Sequence, residues 1–138
     1  MTDGRCHCGN IEVHFETQNP LATLPLRACA CTFCRKHGAR TTSDPAGRLR
    51  IQVREPTLLT RYRWGLATAD FLVCGRCGVY VAAVLSEGAS AWAVVNVDVF
   101  DDLLPWKREA EPVSYEGETA AQRIARRKLR WTPAVIAL

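Results

Sequence analysis

The sequence predicts a mainly β fold with a helix near its C-terminal end. Two observations favour strands: apolar residues alternate with polar ones in several segments, and short apolar runs are separated by residues typical of turns. A third observation is a run of good helix formers at residues 118–130. With 138 residues, of which 48% are hydrophobic, the chain has the size of one ordinary domain. We therefore expect residues 1–138 to form a single domain.

The first predicted strand covers residues 10–16, where Ile11, Val13 and Phe15 alternate with polar residues. This alternation is typical of a strand with one face in water. Further strands are predicted at residues 49–54, 58–64, 69–74, 78–85 and 91–99. The last two are separated by residues typical of a turn, so we expect them to form a hairpin.

The segment between the first two strands is expected to lack a long regular element. It contains Pro20 and Pro25, and proline interrupts both helices and central strands. Residues 34–37 could form one helical turn, and Gly38 would end that turn because glycine readily adopts the left-handed conformation found after helices.

Residues 113–138 are predicted to form the C-terminal helix and a tail. In the helix, Ala121, Ile124 and Ala125 fall near one face, which favours packing on the body of the protein. The tail at residues 131–138 is largely apolar and is expected to pack against other residues. Its partner could be another subunit, which would make the protein a homodimer.

The start of the chain does not resemble a secretion signal, because residues 1–10 are polar and contain two cysteines. No segment is long and apolar enough to be predicted to cross a membrane. We therefore expect a cytoplasmic protein. In a reducing compartment seven cysteines would remain free thiols, and their odd number excludes a complete set of disulfides. Metal binding is the favoured explanation for them.

The net charge is a modest +4, and cysteines that bind metal as thiolates would lower it further. The C-terminal helix carries a basic run, namely Arg123, Arg126, Arg127, Lys128 and Arg130. We interpret this run as a solvated helix face, because acidic residues precede it and no series of aromatic residues accompanies it. A nucleic-acid partner is therefore not expected.

All seven cysteines lie in three short clusters. Their sequences are Cys-His-Cys-Gly at 6–9, Cys-Ala-Cys-Thr-Phe-Cys-Arg at 29–35 and Cys-Gly-Arg-Cys-Gly at 74–78. In an extended segment, residues two positions apart point to the same side, so Cys6 and Cys8 can offer two sulfurs to one ion. Cys74 and Cys77, followed by Gly78, have the spacing of a zinc knuckle. Together these four cysteines would form a closed zinc site.

The middle cluster, Cys29, Cys31 and Cys34, offers only three sulfurs. A tetrahedral zinc ion bound by three protein ligands keeps one position for water or substrate, as catalytic zinc ions do. Two alternatives remain at this stage: all seven thiols could serve folding alone, with His37 or a carboxylate as the fourth ligand, or Cys74 and Cys77 could be a redox pair.

These clusters, in this order, resemble the glutathione-dependent formaldehyde-activating enzyme family, whose relatives include centromere protein V. The family pattern is Cys-x-Cys-Gly, then Cys-x-Cys-x-x-Cys-Arg, then Phe-x-Cys-x-x-Cys-Gly. Here the aromatic residue is displaced, because Phe71 lies three positions before Cys74. The resemblance covers residues 3–102 and leaves the C-terminal segment without a counterpart.

The resemblance implies a β-tent fold of antiparallel sheets with two zinc ions per chain. It implies a structural zinc ion bound by Cys6, Cys8, Cys74 and Cys77, and a catalytic zinc ion bound by Cys29, Cys31 and Cys34. The activity that it implies is that of a carbon–sulfur lyase acting on a thiol/aldehyde adduct such as S-hydroxymethylglutathione. Val79 and Thr32 differ from residues frequent in the family, so substrate identity is left open.

A zinc ion bound by three thiolates suits capture of a substrate thiol, because coordination promotes loss of the thiol proton. His37 is the candidate acid for the oxygen of the adduct, since an imidazole titrates near neutral pH. Arg35 and Lys36 are candidates for binding the carboxylates of a glutathione-like substrate. The alternative function is a non-catalytic zinc module that binds a thiol, a protein or nucleic acid.

Overall fold

The computed structural model describes residues 1–138 and confirms a mainly β fold, with eleven strands and two α-helices. The strands are β1 Thr2–Arg5, β2 Ile11–Glu16, β3 Arg27–Cys29, β4 Thr41–Thr42, β5 Arg48–Val53, β6 Leu59–Tyr62, β7 Asp70–Cys74, β8 Tyr80–Glu87, β9 Ser90–Asn96, β10 Glu111–Val113 and β11 Thr132–Ala137. The helices are α1 Thr32–His37 and α2 Ala120–Arg130. Short 3-10 turns lie at Leu21–Thr23, Pro56–Leu58, Val97–Val99 and Leu104–Trp106.

The strands form one continuous hydrogen-bonded network that branches at β9. The main path follows the order β1-β2-β5-β11-β9-β4-β3-β10, and β8, β7 and β6 extend from β9 as a second arm. Most neighbours are antiparallel, whereas β11 runs parallel to β5 and β10 runs parallel to β3. The hairpin predicted from residues 78–99 is present as the pair β8–β9.

The alternation read from the sequence places one face of β2 and β5 in the core. Ile11, Val13 and Phe15 of β2 are fully buried. In the antiparallel register, Val13 lies opposite Ile51 and Phe15 lies opposite Leu49, and both partners are buried as well. Burial of these side chains stabilises the pairing and fixes its register, because a shift by one residue would turn every one of them to solvent.

The C-terminal tail forms a strand that the sequence analysis missed. β11 pairs in parallel with β5, and its first residues, Thr132 and Pro133, pair with β9. The tail therefore joins the two arms of the sheet within the same chain. β11 contains Pro133, which lies near the start of the strand, where a proline is tolerated. The expected packing of the tail is thus intramolecular, and a homodimer stays a prediction.

Both helices begin and end with recognisable signals. α1 ends at Gly38, which has the left-handed conformation with φ 61°. α2 begins with a capping box, in which the side chains of Thr119 and Gln122 each accept a hydrogen bond from the backbone N–H of the other residue. The predicted helix at residues 118–130 is therefore confirmed. Neither helix has the length and apolar character needed to cross a bilayer.

Two clusters of buried side chains make up the core. The larger one lies around β2, β5, β8 and β9 and includes Trp106, whose ring stacks on Phe100 at 5.7 Å between centroids. The smaller cluster contains Tyr80, Trp131 and the metal-ligand candidate Cys34. The smaller cluster thus packs the β8–β9 arm against the segment that carries the middle group of cysteines.

Substitution of Trp106 tests its assignment to the larger cluster of buried side chains. Trp106→Ala should lower the free energy of unfolding by about 3–5 kcal/mol, because the side chain is 0% exposed and its removal leaves a cavity. Leu104→Ala, in the same 3-10 turn but 71% exposed, should change it by less than about 0.5 kcal/mol. Urea unfolding curves recorded by backbone circular dichroism, which does not depend on tryptophan fluorescence, measure the free energy of unfolding of both variants. Equal effects of the two substitutions would contradict the assignment of Trp106 to the core.

Candidate metal centres and the adjoining cavity

Four sulfur atoms from two distant turns meet in one group. Cys6 and Cys8 lie in the β1–β2 connection, whereas Cys74 ends β7 and Cys77 follows it, and their Sγ atoms lie within 4.8 Å of one another. The Sγ atoms of Cys8 and Cys74 are 3.5 Å apart, and those of Cys6 and Cys8 are 3.8 Å apart. Four sulfurs bound to one tetrahedral ion at about 2.3 Å would lie about 3.8 Å from each other. The spacing therefore suits a single ion.

The backbone holds these sulfurs in place through two tight turns. The amide of Ile11 donates a hydrogen bond to the Sγ of Cys6 at 3.3 Å, and the amide of Cys77 donates to the Sγ of Cys74 at 3.5 Å. Each turn closes on a glycine with positive φ, 84° at Gly9 and 78° at Gly78. Only glycine adopts this conformation without steric cost, which explains why each cysteine pair is followed by one.

The middle cysteines form a second group of three sulfur atoms. Cys29 ends β3, Cys31 is the residue before α1, and Cys34 lies within α1. Their Sγ atoms lie within 4.8 Å of one another. The Sγ of Cys31 accepts a hydrogen bond from the amide of Cys34 at 3.3 Å, which caps the first turn of the helix. The short helix therefore positions two of the three sulfurs.

The electrostatics of both groups suit a cation. In the three-sulfur group, hydrogen bonds from Cys31 and Cys34 hold the pKa of Cys29 well below that of an ordinary thiol, while the contact with Cys29 raises the pKa of Cys34. In the four-sulfur group, burial raises the pKa of Cys6 to about 12. Thiols in such contact share protons, and a divalent ion would replace those protons and hold every sulfur as a thiolate. Both groups could hold metal ions, and all-sulfur donors are consistent with zinc.

A cavity of about 410 Å³ adjoins the three-sulfur group. Cys29, Cys31 and Cys34 all contribute to its lining, whereas no cysteine of the four-sulfur group does. Its volume lies in the range of small-molecule sites, about 300–1,000 Å³. The three-sulfur group thus opens on a space that a ligand can enter.

Aromatic side chains form the apolar part of this cavity. Trp64, Phe71 and Tyr80 line it, and the rings of Phe71 and Tyr80 both pack edge-on against Phe33 of α1, with centroids 4.8 and 4.9 Å away. Burial, reinforced by the neighbouring thiols, raises the pKa of Tyr80 well above its usual value, so the hydroxyl stays protonated and can donate a hydrogen bond.

The polar part of the cavity is strongly basic. Four guanidinium groups line it, those of Arg27, Arg123, Arg126 and Arg127. Three of them come from α2, so the interpretation of its basic run as a solvated face is wrong for these residues; Arg127 is only 7% exposed. The spacing of Arg123, Arg126 and Arg127 by three and four positions puts them on one helix face, and that signal was present in the sequence. The spacing alone does not indicate which face of the helix is turned toward the cavity.

The other predicted site residues lie on α1 outside the cavity. Arg35, Lys36 and His37 are exposed, and none of them belongs to the cavity lining. The ring of His37 packs against Phe33 at 4.5 Å between centroids and lies 5.6 Å from the ring of Tyr80. The roles proposed for these three residues stay predictions. Thr32, by contrast, does line the cavity.

Comparison with known proteins agrees with this architecture. One crystal structure, of a Rhodobacter sphaeroides protein, is similar at 32% sequence identity with a TM-score of 0.61, and the match covers 80% of this chain and 99% of that one. No curated protein matches the chain. The model of the glutathione-dependent formaldehyde-activating enzyme family matches residues 1–116, a span that contains every cysteine of both sulfur groups. The chain therefore belongs to the glutathione-dependent formaldehyde-activating enzyme family.

Proposed function

We propose that this protein is a zinc-dependent carbon–sulfur lyase that forms or cleaves a thiol/aldehyde adduct such as S-hydroxymethylglutathione. The observation that carries the proposal is that all three cysteines of the three-sulfur group line a ligand-sized cavity, whereas none of the four-sulfur group does. A purely structural role for all seven cysteines gives no reason for this difference. Membership of the family supports glutathione and formaldehyde as the substrate classes.

The two groups of cysteines would hold zinc in different ways. Cys6, Cys8, Cys74 and Cys77 would surround a structural ion with four protein ligands, and Cys29, Cys31 and Cys34 would hold an ion with one ligand position left for substrate. At the second site zinc would supply a Lewis acid that lowers the pKa of a substrate thiol. The four-sulfur ion would connect the β1–β2 and β7–β8 turns and so contribute to folding.

The reaction is an addition without oxidation or reduction. In the forward direction the substrate thiol loses its proton, a carbon–sulfur bond forms at the aldehyde carbon, and the carbonyl oxygen becomes a hydroxyl by taking up one proton. In reverse the hydroxyl loses that proton, the carbon–sulfur bond breaks, and thiol and aldehyde are released. The protein must therefore position the sulfur and stabilise charge on one oxygen atom.

The chain offers groups for both tasks. Trp64 and Phe71 provide apolar walls that limit the access of water, which strengthens electrostatic interactions inside the cavity. Tyr80 lines the cavity, and its protonated hydroxyl can donate a hydrogen bond to the oxygen that gains charge. We keep His37, whose ring lies beside that of Tyr80, as the proposed proton source.

Two cysteine substitutions test the metal assignments. The purified protein should contain two zinc ions per chain by mass spectrometry of the metal content. Cys74→Ser should abolish the fold, because the structural ion contributes folding free energy directly. Cys31→Ser should keep the circular dichroism spectrum of the wild type but lose one zinc ion. A single zinc ion in the wild type would contradict the assignment of the three-sulfur group.

Exchange spectroscopy tests the reaction. With glutathione and formaldehyde at equilibrium, the wild type should raise the rate of exchange between free and adducted thiol above the spontaneous rate. Cys31→Ser should return it to the spontaneous rate, and Tyr80→Phe should lower the enzymatic part by about 100-fold, as expected for loss of one hydrogen-bond donor to a charged oxygen.

The matched control for the exchange experiment is Tyr62→Phe, since Tyr62 is 48% exposed and does not line the cavity. It should exchange at the wild-type rate. A Cys31→Ser protein that exchanges as fast as the wild type would instead support the alternative of a non-catalytic zinc module. His37→Gln in the same assay decides whether His37 contributes, because a proton source should change the pH dependence of exchange.

A further inference from the structure

Arg127 is the least solvated of the four arginines that line the cavity. Its side chain packs on Trp131, with the guanidinium carbon 4.7 Å from the ring centroid, and its Nη1 donates a hydrogen bond to the Oγ1 of Thr68 at 2.7 Å. Its Nε is buried and has no hydrogen-bond partner. The guanidinium is thus held in position with part of its hydrogen-bonding capacity unused.

Two of the neighbouring arginines have a carboxylate partner in the chain. Arg123 and Arg126 both form ion pairs with Glu118, at 3.3 and 2.9 Å. Arg27, like Arg127, has a hydroxyl partner, the Oγ of Ser43 at 2.9 Å, but its side chain is less buried. Arg127 has no carboxylate partner, although a buried charge is ordinarily paired because its removal from water is costly. Burial accordingly lowers the pKa of Arg127 to about 10, which leaves it charged at neutral pH.

The charges in the lining of the cavity do not balance one another. The lining contains four arginines and one carboxylate, Glu116; outside the lining, Glu118 pairs with two of these arginines and Glu111 lies opposite Arg27 in the β10–β3 register. A three-thiolate group loaded with a divalent ion carries one further negative charge. The lining itself therefore keeps an excess of positive charge, and the guanidinium fork is suited to a carboxylate.

We propose that Arg127 binds a carboxylate of the thiol substrate, so that this cavity selects anionic thiols over neutral ones. The inference rests on the proposed thiol site at Cys29, Cys31 and Cys34 and adds a recognition element to it. α2 lies beyond residues 1–116, the part of the chain that matches the family model. The specificity therefore comes from a segment outside that match.

Calorimetric titration of the zinc-loaded protein with two thiols tests the inference. Glutathione and glutathione diethyl ester carry the same sulfur atom, but the ester lacks both carboxylates. The wild type should bind glutathione about 10- to 100-fold more tightly, as expected for a hydrogen-bonded charge pair. Equal affinities of the wild type for the two thiols would contradict the proposed role of Arg127 and leave the proposed thiol site intact. Absence of binding by both thiols would overturn the proposed thiol site, and this inference with it.

Two variants assign the preference to one side chain. Arg127→Gln should bind both thiols with nearly equal affinity, whereas Arg130→Gln, an exposed residue of the same helix, should keep the wild-type preference. Because Arg127 has no acidic partner, Arg127→Gln is expected to be at least as stable as the wild type. Arg127→Met keeps the stem that packs on Trp131 and serves as a second neutral variant. A preference that survives in either neutral variant, or that is lost equally in Arg130→Gln, would contradict the inference.

Discussion

The contact between the sulfur atoms of Cys8 and Cys74, 66 positions apart, is the constraint on which the arrangement of the sheet depends. It brings the β1–β2 turn onto the end of β7, and β7 belongs to the arm of the sheet that branches from β9. Hydrogen bonds from backbone amides to the Sγ atoms of Cys6 and Cys74 fix the two turns before any ion is considered. A metal ion in this group would stabilise a geometry that the backbone already favours.

The three-sulfur group depends on a different part of the chain. Cys34 belongs to the same buried cluster as Tyr80 and Trp131, so the metal-ligand segment, the β8 strand and the end of α2 pack as one unit. β11, which follows Trp131 directly, is fixed by pairing with both β5 and β9. The position of α2 against the cavity is therefore set by the strand that comes after it. A substitution that weakens the pairing of β11 is therefore expected to alter the position of α2 at the cavity.

The parts of this fold that could be predicted from the sequence are those whose determinants are local. The alternation of Ile11, Val13 and Phe15 predicted a strand, and the spacing within each group of cysteines predicted which sulfurs would meet. β11 was missed because its pairing with β5 joins segments that are far apart in the sequence. The arginines that line the cavity were missed for a similar reason. Helical spacing groups those of α2 on one face, but only tertiary packing turns that face toward the cavity.

The presence of Arg127 in the cavity is hard to explain by stability alone. Its stem packs on Trp131 and Thr68 accepts one hydrogen bond, yet the buried charge has no acidic partner, and an apolar residue of similar size would pack there at lower cost. Protein sites that bind ligands commonly carry such unfavourable groups, because the ligand completes the interaction that the fold leaves open. A guanidinium without an acidic partner lines the same cavity as three thiols that can bind a metal ion, and together they suit the two ends of one ligand: a sulfur at the cysteines and an anion at α2. The cavity between them limits which thiols can satisfy both ends at once, and this makes α2 the part of the chain in which substrate specificity resides.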